Sequence, residues 1–248
     1  MKYEFIELQK ENKHWIRGVA NFKEEKDQPV IIMFHGFTGN RIGNSFFFVQ
    51  MAKAFVQAGY RVYRFDFEGS GESDGKFVDM TVSSEMEDGI LIYEYVKKKH
   101  PNTDIHLLGF SLGGLVASLI AEKLQPKSLI LLGPAANMLE IIDPFAKKII
   151  GTEEENKVQE YGGVFLHLNF YHDLKKHNVY EKASLYDGPV IILRGAKDRT
   201  VDRISNEKLA GIFPKGHYVE IEGTDHSFTN GYRRVELIQK ILEFLKES

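Results

Sequence analysis

The chain has 248 residues, 43% hydrophobic and 27% charged, with a formal charge of −3. That length suits a single domain with a full core across residues 1–248, and so small a charge gives no reason to expect nucleic acid or an anionic membrane as partner. With no cysteine in the sequence, disulfides, thiolate catalysis and cysteine-ligated metals are excluded.

Tyr3–Gln9 and His14–Asn21 alternate polar and apolar residues and predict an antiparallel pair joined by a polar turn. The N-terminal segment lacks the apolar centre of a signal peptide, and no apolar run reaches the ~20 residues of a membrane helix. A cytoplasmic protein with no membrane partner is the expectation. Val30-Ile31-Ile32-Met33-Phe34 is continuously apolar, as a strand covered on both faces should be. A helix is predicted over Phe46–Ala58, a strand over Arg61–Phe65, and a long helix over Val82–Lys99 that ends at His100-Pro101. Ile105–Leu108, Ser128–Leu132, Val190–Leu193 and Tyr218–Ile221 complete the strands. Arg233–Lys246 is an amphipathic terminal helix, with Val235, Ile238, Leu242 and Leu245 assigned to its apolar face.

Buried strands alternating with helices predict an α/β fold: a mostly parallel sheet with helices on both faces. The alternation breaks between Pro134 and Pro189. That stretch holds a predicted helix at Met138–Ile150, an acidic run and the aromatic-rich segment Tyr161–His172. A loop this long is read as a lid, inserted at about 135–188.

Gly109-Phe110-Ser111-Leu112-Gly113 carries the chemistry. It follows a predicted strand and precedes a predicted helix, so the turn at Ser111 must be sharp, with its hydroxyl exposed above the sheet at a helix N-terminus. A serine hydroxyl needs a base, and the base needs an orienting acid. In this arrangement the chain order is serine, acid, histidine. His226 follows the last predicted strand and is the expected base; Asp198 follows the preceding strand and is the expected acid. Asp202 is the rival acid, but it stands where the next helix needs a cap. The oxyanion calls for two amides, and those of Leu112 and Phe37 are expected to supply them. His35, just ahead of the glycine turn, is read as a brace for that loop. Asp66–Gly75 is read as a wide polar turn, since its glycines lack the lysine–serine pair of a phosphate cradle. Its acidic spacing fits no metal loop, so neither metal nor cofactor is expected.

These residues, in this order, resemble the α/β-hydrolase superfamily across nearly the whole chain, with an eight-stranded sheet implied. The runs His35–Arg41, Arg64–Phe77, Met80–Asp88, Gly133–Asn137 and Gly223–Phe228 resemble bacterial cinnamoyl or feruloyl esterases. The resemblance implies hydrolysis of hydroxycinnamoyl esters by Ser111, Asp198 and His226, with oxyanion donors Phe37 and Leu112. Some lids in that family carry an acidic residue for the phenolic hydroxyl; here Glu140 and Asp143 are candidates. Met138, Leu139, Glu140, Ile142 and Phe165 are the expected substrate contacts, among apolar lid residues that also include Phe145, Phe170 and Tyr171. Short-chain esterase, monoacylglycerol lipase or thioesterase activity is the alternative, and a silent ligand-binding member a third reading. The expected partner is a small-molecule ester. An exposed lid face could pair two chains as a homodimer, although no residue pattern specifies it.

Overall fold

A computed structural model describes residues 1–24 and 27–248. The strands, in chain order, are β1 (Lys2–Gln9), β2 (Trp15–Phe22), β3 (Val30–Phe34), β4 (Arg61–Phe65), β5 (Ile105–Phe110), β6 (Ser128–Leu132), β7 (Gln159–Tyr161), β8 (Val164–Leu166), β9 (Val190–Gly195) and β10 (Gly216–Ile221). The α-helices are α1 (Phe47–Gln57), α2 (Val82–Lys99), α3 (Leu112–Leu124), α4 (Met138–Ala146), α5 (Asn169–Leu174), α6 (Val179–Ala183), α7 (Arg203–Ile212) and α8 (Gly231–Glu247).

Eight strands share one sheet in the order β1-β2-β4-β3-β5-β6-β9-β10. From β4 to β10 every pairing is parallel, while β2 runs antiparallel to both β1 and β4. The apolar runs at β3, β5, β6 and β9 occupy the centre because helices cover both of their faces. Helices α2, α3 and α7 pack on one face, and α1 and α8 on the other. This is the α/β-hydrolase arrangement. Among the described residues no helix is long and apolar enough to cross a membrane.

The first and last helices differ from expectation. Helix α1 starts at Phe47, not Phe46, because Phe46 adopts a left-handed conformation with φ 61°. The buried Arg234 guanidinium explains how this strain is held: it donates to the carbonyls of Ser45 (3.0 Å) and Asn44 (3.3 Å) just ahead of the helix. The same arginine corrects the terminal helix. The face of α8 that enters the core carries Arg234, Leu237, Ile241 and Leu245, while Val235 is 56% exposed. The last strand, expected from Tyr218, begins at Gly216, so His217 lies within β10 at the end remote from His226.

The insertion between β6 and β9 contributes nothing to the large sheet. It holds α4, the small antiparallel hairpin β7–β8, α5 and α6. The helix expected over Met138–Ile150 stops at Ala146 and continues as turns. Its rear is fastened to the sheet domain, where Asp173 accepts from both the amide and the hydroxyl of Ser83 (2.8 Å each) at the start of α2.

Candidate active site

The turn from β5 into α3 forces Ser111 to φ 53° and ψ −117°, a conformation that non-glycine residues rarely adopt. Its glycine neighbours are there for space. A Cβ at Gly109 would overlap the Gly113 carbonyl, and one at Gly113 would overlap the carbonyls of Phe34 and His35. The strained serine is fixed by its own backbone: its amide donates to Leu132 O (2.9 Å), and its carbonyl accepts from Leu115 (3.1 Å) and Ala135 (3.0 Å). The hydroxyl stands at the N-terminus of α3, where the helix dipole favours negative charge.

Residues far apart in sequence meet above this turn. Ser111 Oγ lies 3.0 Å from His226 Nε2, and His226 Nδ1 lies 2.6 Å from Asp198 Oδ2. With Nδ1–H donating to the carboxylate, Nε2 is left to accept the serine proton. The Asp198 side chain is fully buried, and its other oxygen accepts from the amides of Thr200 (2.8 Å) and Val201 (2.9 Å). Arg194 holds this loop, donating to the carbonyls of Asp198 (2.6 Å) and Val201 (3.0 Å). Asp202 instead caps α7, accepting from the Ser205 amide at 2.7 Å. The imidazole rests against the Phe110 ring, centroids 5.0 Å apart.

The Phe37 and Leu112 amides, the expected oxyanion donors, make no hydrogen bond among the described residues. Gly36 brings the first of them close, since a Cβ there would reach 3.0 Å from the Ser111 Cβ. His35 braces the loop. It accepts from the Phe67 amide at Nε2 (3.1 Å) and donates from Nδ1 to the Gly36 carbonyl (2.9 Å). Burial lowers its pKa, which keeps the ring neutral and able to do both.

The polar turn after β4 does more than connect strand to helix. Asp66 is wholly buried and accepts from the Arg41 amide (2.6 Å), the Arg41 guanidinium and the Glu72 amide (3.0 Å). Arg64 donates to the Arg41 carbonyl and is itself held by Asn21 Oδ1 at 2.8 and 3.1 Å. Adjacent residues 66 and 67 thus staple both ends of the segment that carries Phe37. Sequence reasoning missed Arg41, Asp66 and Arg64 as site residues. The one available signal was an aspartate directly after a buried strand, and its partner's identity depends on the fold.

The Phe37 ring belongs to an aromatic wall. Its centroid lies 5.2 Å from Phe77, 5.7 Å from Phe170 and 6.1 Å from Tyr161, and Tyr161 lies 4.9 Å from Phe145. The expected substrate contacts are spread more widely. Met138 and Ile142 are buried in the main core and Leu139 is partly so, whereas Glu140 is exposed on α4 and Phe165 is 64% exposed on the hairpin. Asp143 is already engaged, accepting from Tyr171 Oη (2.7 Å) and pairing with Lys147 (2.6 Å). Among the described residues no cluster of histidine and carboxylate side chains could hold a metal ion.

The profile of the family described as Serine aminopeptidase, S33 matches residues 25–158. Human Protein ABHD12B is 26% identical over 186 residues, covering 73% of this chain and 49% of that protein. Lysophosphatidylserine lipase ABHD12 of Danio rerio is 31% identical over 121 residues, 47% of this chain and 30% of that protein. The chain therefore spans half or less of these relatives. Among solved structures, Est1E from Butyrivibrio proteoclasticus with ferulic acid bound aligns with a TM-score of 0.83 at 25% identity, covering 95% of this chain and 96% of that one. DcsB in complex with its substrate analogue aligns at 0.79 with 20% identity over 99% of both chains, a likeness of fold.

Proposed function

The chain belongs to the Serine aminopeptidase, S33 family and has the α/β-hydrolase fold, and from that premise we propose that it hydrolyses carboxylic esters through an acyl-enzyme on Ser111. The observation that carries the proposal is the continuous hydrogen-bonded run Ser111–His226–Asp198 beside the Phe37 and Leu112 amides. His226 Nε2 takes the hydroxyl proton as Oγ attacks the ester carbonyl. Charge collects on the carbonyl oxygen, and the two amides hold it; losing one such donor costs about 3–4 kcal/mol of barrier. The imidazolium, steadied by Asp198, then protonates the departing alkoxide. Water enters, His226 removes its proton, and the second tetrahedral intermediate collapses to acid and free Ser111.

For the acyl group we favour a hydroxycinnamoyl acid. The partly buried rings of Phe37, Phe77 and Tyr161 support this, because an aromatic acid can meet them edge-on or offset-stacked. The likeness to Est1E with ferulic acid bound points the same way. An aliphatic acyl group is the second reading, favoured by the matches to lysophosphatidylserine lipases. Relative kcat/KM for methyl ferulate, p-nitrophenyl butyrate and a monoacylglycerol separates them. The proposal expects methyl ferulate to lead. A leading monoacylglycerol or butyrate would move the specificity to the second reading. No turnover, together with no labelling of Ser111 by a fluorophosphonate, would leave a ligand-binding protein.

A further inference from the structure

Among the described residues, the large sheet ends in two strands whose outer edges meet no other strand, and the two edges differ in chemistry. At one edge, β1 carries Lys2, Glu4 and Glu7 along its length, and Lys99 of α2 pairs with Glu4. Charges spread along an edge discourage a further strand from adding to it. At the other edge, β10 pairs with β9 over its whole length, without a bulge. The Val190 amide donates to the Lys215 carbonyl (3.0 Å) and the Ala196 amide to the Ile221 carbonyl (3.0 Å). That alternation turns the backbone groups of His217, Val219 and Ile221 toward β9 and those of Tyr218 and Glu220 outward. Among the described residues the outward amides and carbonyls of Tyr218 and Glu220 have no hydrogen-bond partner. The acidic residue of β10, Glu220, is neutralised within the chain by Arg194 (2.9 Å), so its charge does not guard the edge.

A groove of about 550 Å³ runs beside this edge, between β10 and the C-terminal half of α8. Val219 and Phe244, both half-buried, give it an apolar floor. Lys215, Lys240, Glu243 and Glu247 also line it, and none of the four forms an ion pair among the described residues. Along α8 the charges run from positive at Lys240 to negative at Glu243 and Glu247. A second copy related by a two-fold axis reverses that order, so the positive end of one groove meets the negative end of the other. We propose that β10 pairs antiparallel with β10 of a second copy of this chain. The outward backbone groups of Tyr218 and Glu220 supply the hydrogen bonds, Val219 and Phe244 are covered, and Lys240 of each copy faces Glu243 and Glu247 of the other. The pairing lies at the sheet edge and not on the insertion. The groove adjoins Pro189 and Lys215, where β9 and β10 begin, whereas Asp198 and His226 stand beyond the ends of those strands. Assembly therefore leaves the candidate active site open, and the inference does not depend on the acyl-enzyme reading.

Sedimentation equilibrium of the full chain across the micromolar range tests it. The wild-type chain should sediment with twice the chain mass. Tyr218→Pro removes one outward amide and no hydrogen bond to β9. It should sediment as a monomer with its circular dichroism unchanged. Lys240→Glu should weaken the dimer about ten-fold, and its combination with Glu243→Lys and Glu247→Lys should restore it, a pattern that misfolding does not produce. Should Tyr218→Pro fail to fold, the charge exchange decides alone. A wild-type mass other than that of a dimer, a folded Tyr218→Pro that still dimerises, a dimer indifferent to Lys240→Glu, or a full charge exchange no tighter than Lys240→Glu alone would overturn the proposal.

Discussion

Two walls meet at Phe37, and they are built from different forces. The loop carrying Phe37 is stapled at both ends to Asp66 and Phe67 by directional hydrogen bonds and a buried ion pair. The insertion meets the same loop chiefly through rings, with Tyr161 and Phe170 against Phe37. Hydrogen bonds to a buried carboxylate are directional and fix their donors in place, whereas ring contacts tolerate sliding. The comparison teaches where precision is needed. On the proposed function, an oxyanion donor must meet a developing charge at a set distance, while a wall for the acyl group has only to fit a shape.

The sharpest way to break this contrast is to remove the chemistry that both walls serve. Ser111→Ala or His226→Ala should lower kcat for p-nitrophenyl butyrate by roughly 10⁴-fold or more. Activity within ten-fold of wild type in either variant would mean that neither wall was built around this serine.

Acid should loosen the sheet beneath the rigid wall. His106 on β5 is buried against Ser128 Oγ (2.7 Å), and burial lowers its pKa from 6.5 to about 4. Between those values the unfolded chain binds a proton that the folded chain refuses. Its contribution is therefore fully present above pH 6.5 and is lost as pH falls toward 4. The loss by pH 4.5 is about 2–3 kcal/mol. Urea unfolding at pH 7 and 4.5 should show a smaller drop in His106→Gln than in wild type; equal drops would refute the assignment.

Loosening the staple itself should come next. Asp66→Asn keeps the shape but removes the charge that holds Arg41. The expected result is a kcat 10–100-fold lower with KM little changed, equivalent to about 1.4–2.7 kcal/mol of barrier. If the two walls were equivalent, KM would move instead. The smallest effect belongs to the insertion. Tyr161→Leu should raise KM for an aromatic ester several-fold, the value of about one ring contact, with kcat within about three-fold. A larger loss in kcat would show that the aromatic wall also sets the oxyanion geometry.

What could be read from the sequence follows the same division. Ser111 was legible because its strained turn is specified by glycines two residues away on each side, and His226 and Asp198 because each follows a predicted strand by a few residues. Helix α2 matched its expected bounds, Val82–Lys99, since a local pattern and a proline beyond it set both ends. Interactions that join distant segments were not legible. Nothing near Asp66 announces Arg41 as its partner. Arg234 reads as a surface charge, yet it enters the core and leaves Val235 exposed, with its guanidinium donating to the Asn44 and Ser45 carbonyls ahead of the left-handed Phe46. The substrate contacts were the least legible. Apolar lid residues are interchangeable in composition, and only the fold separates Ile142 in the core from Phe165 at the surface.

The central claim is that Ser111 is acylated with His226 as its base. Rapid quenching of the reaction with p-nitrophenyl butyrate, followed by peptide mass spectrometry, tests it most directly. The account predicts a butyryl adduct on the peptide containing Ser111 in the wild-type protein and no adduct in His226→Ala. An unmodified Ser111 peptide in wild-type protein that is releasing p-nitrophenolate, or an adduct formed equally fast without His226, would contradict it.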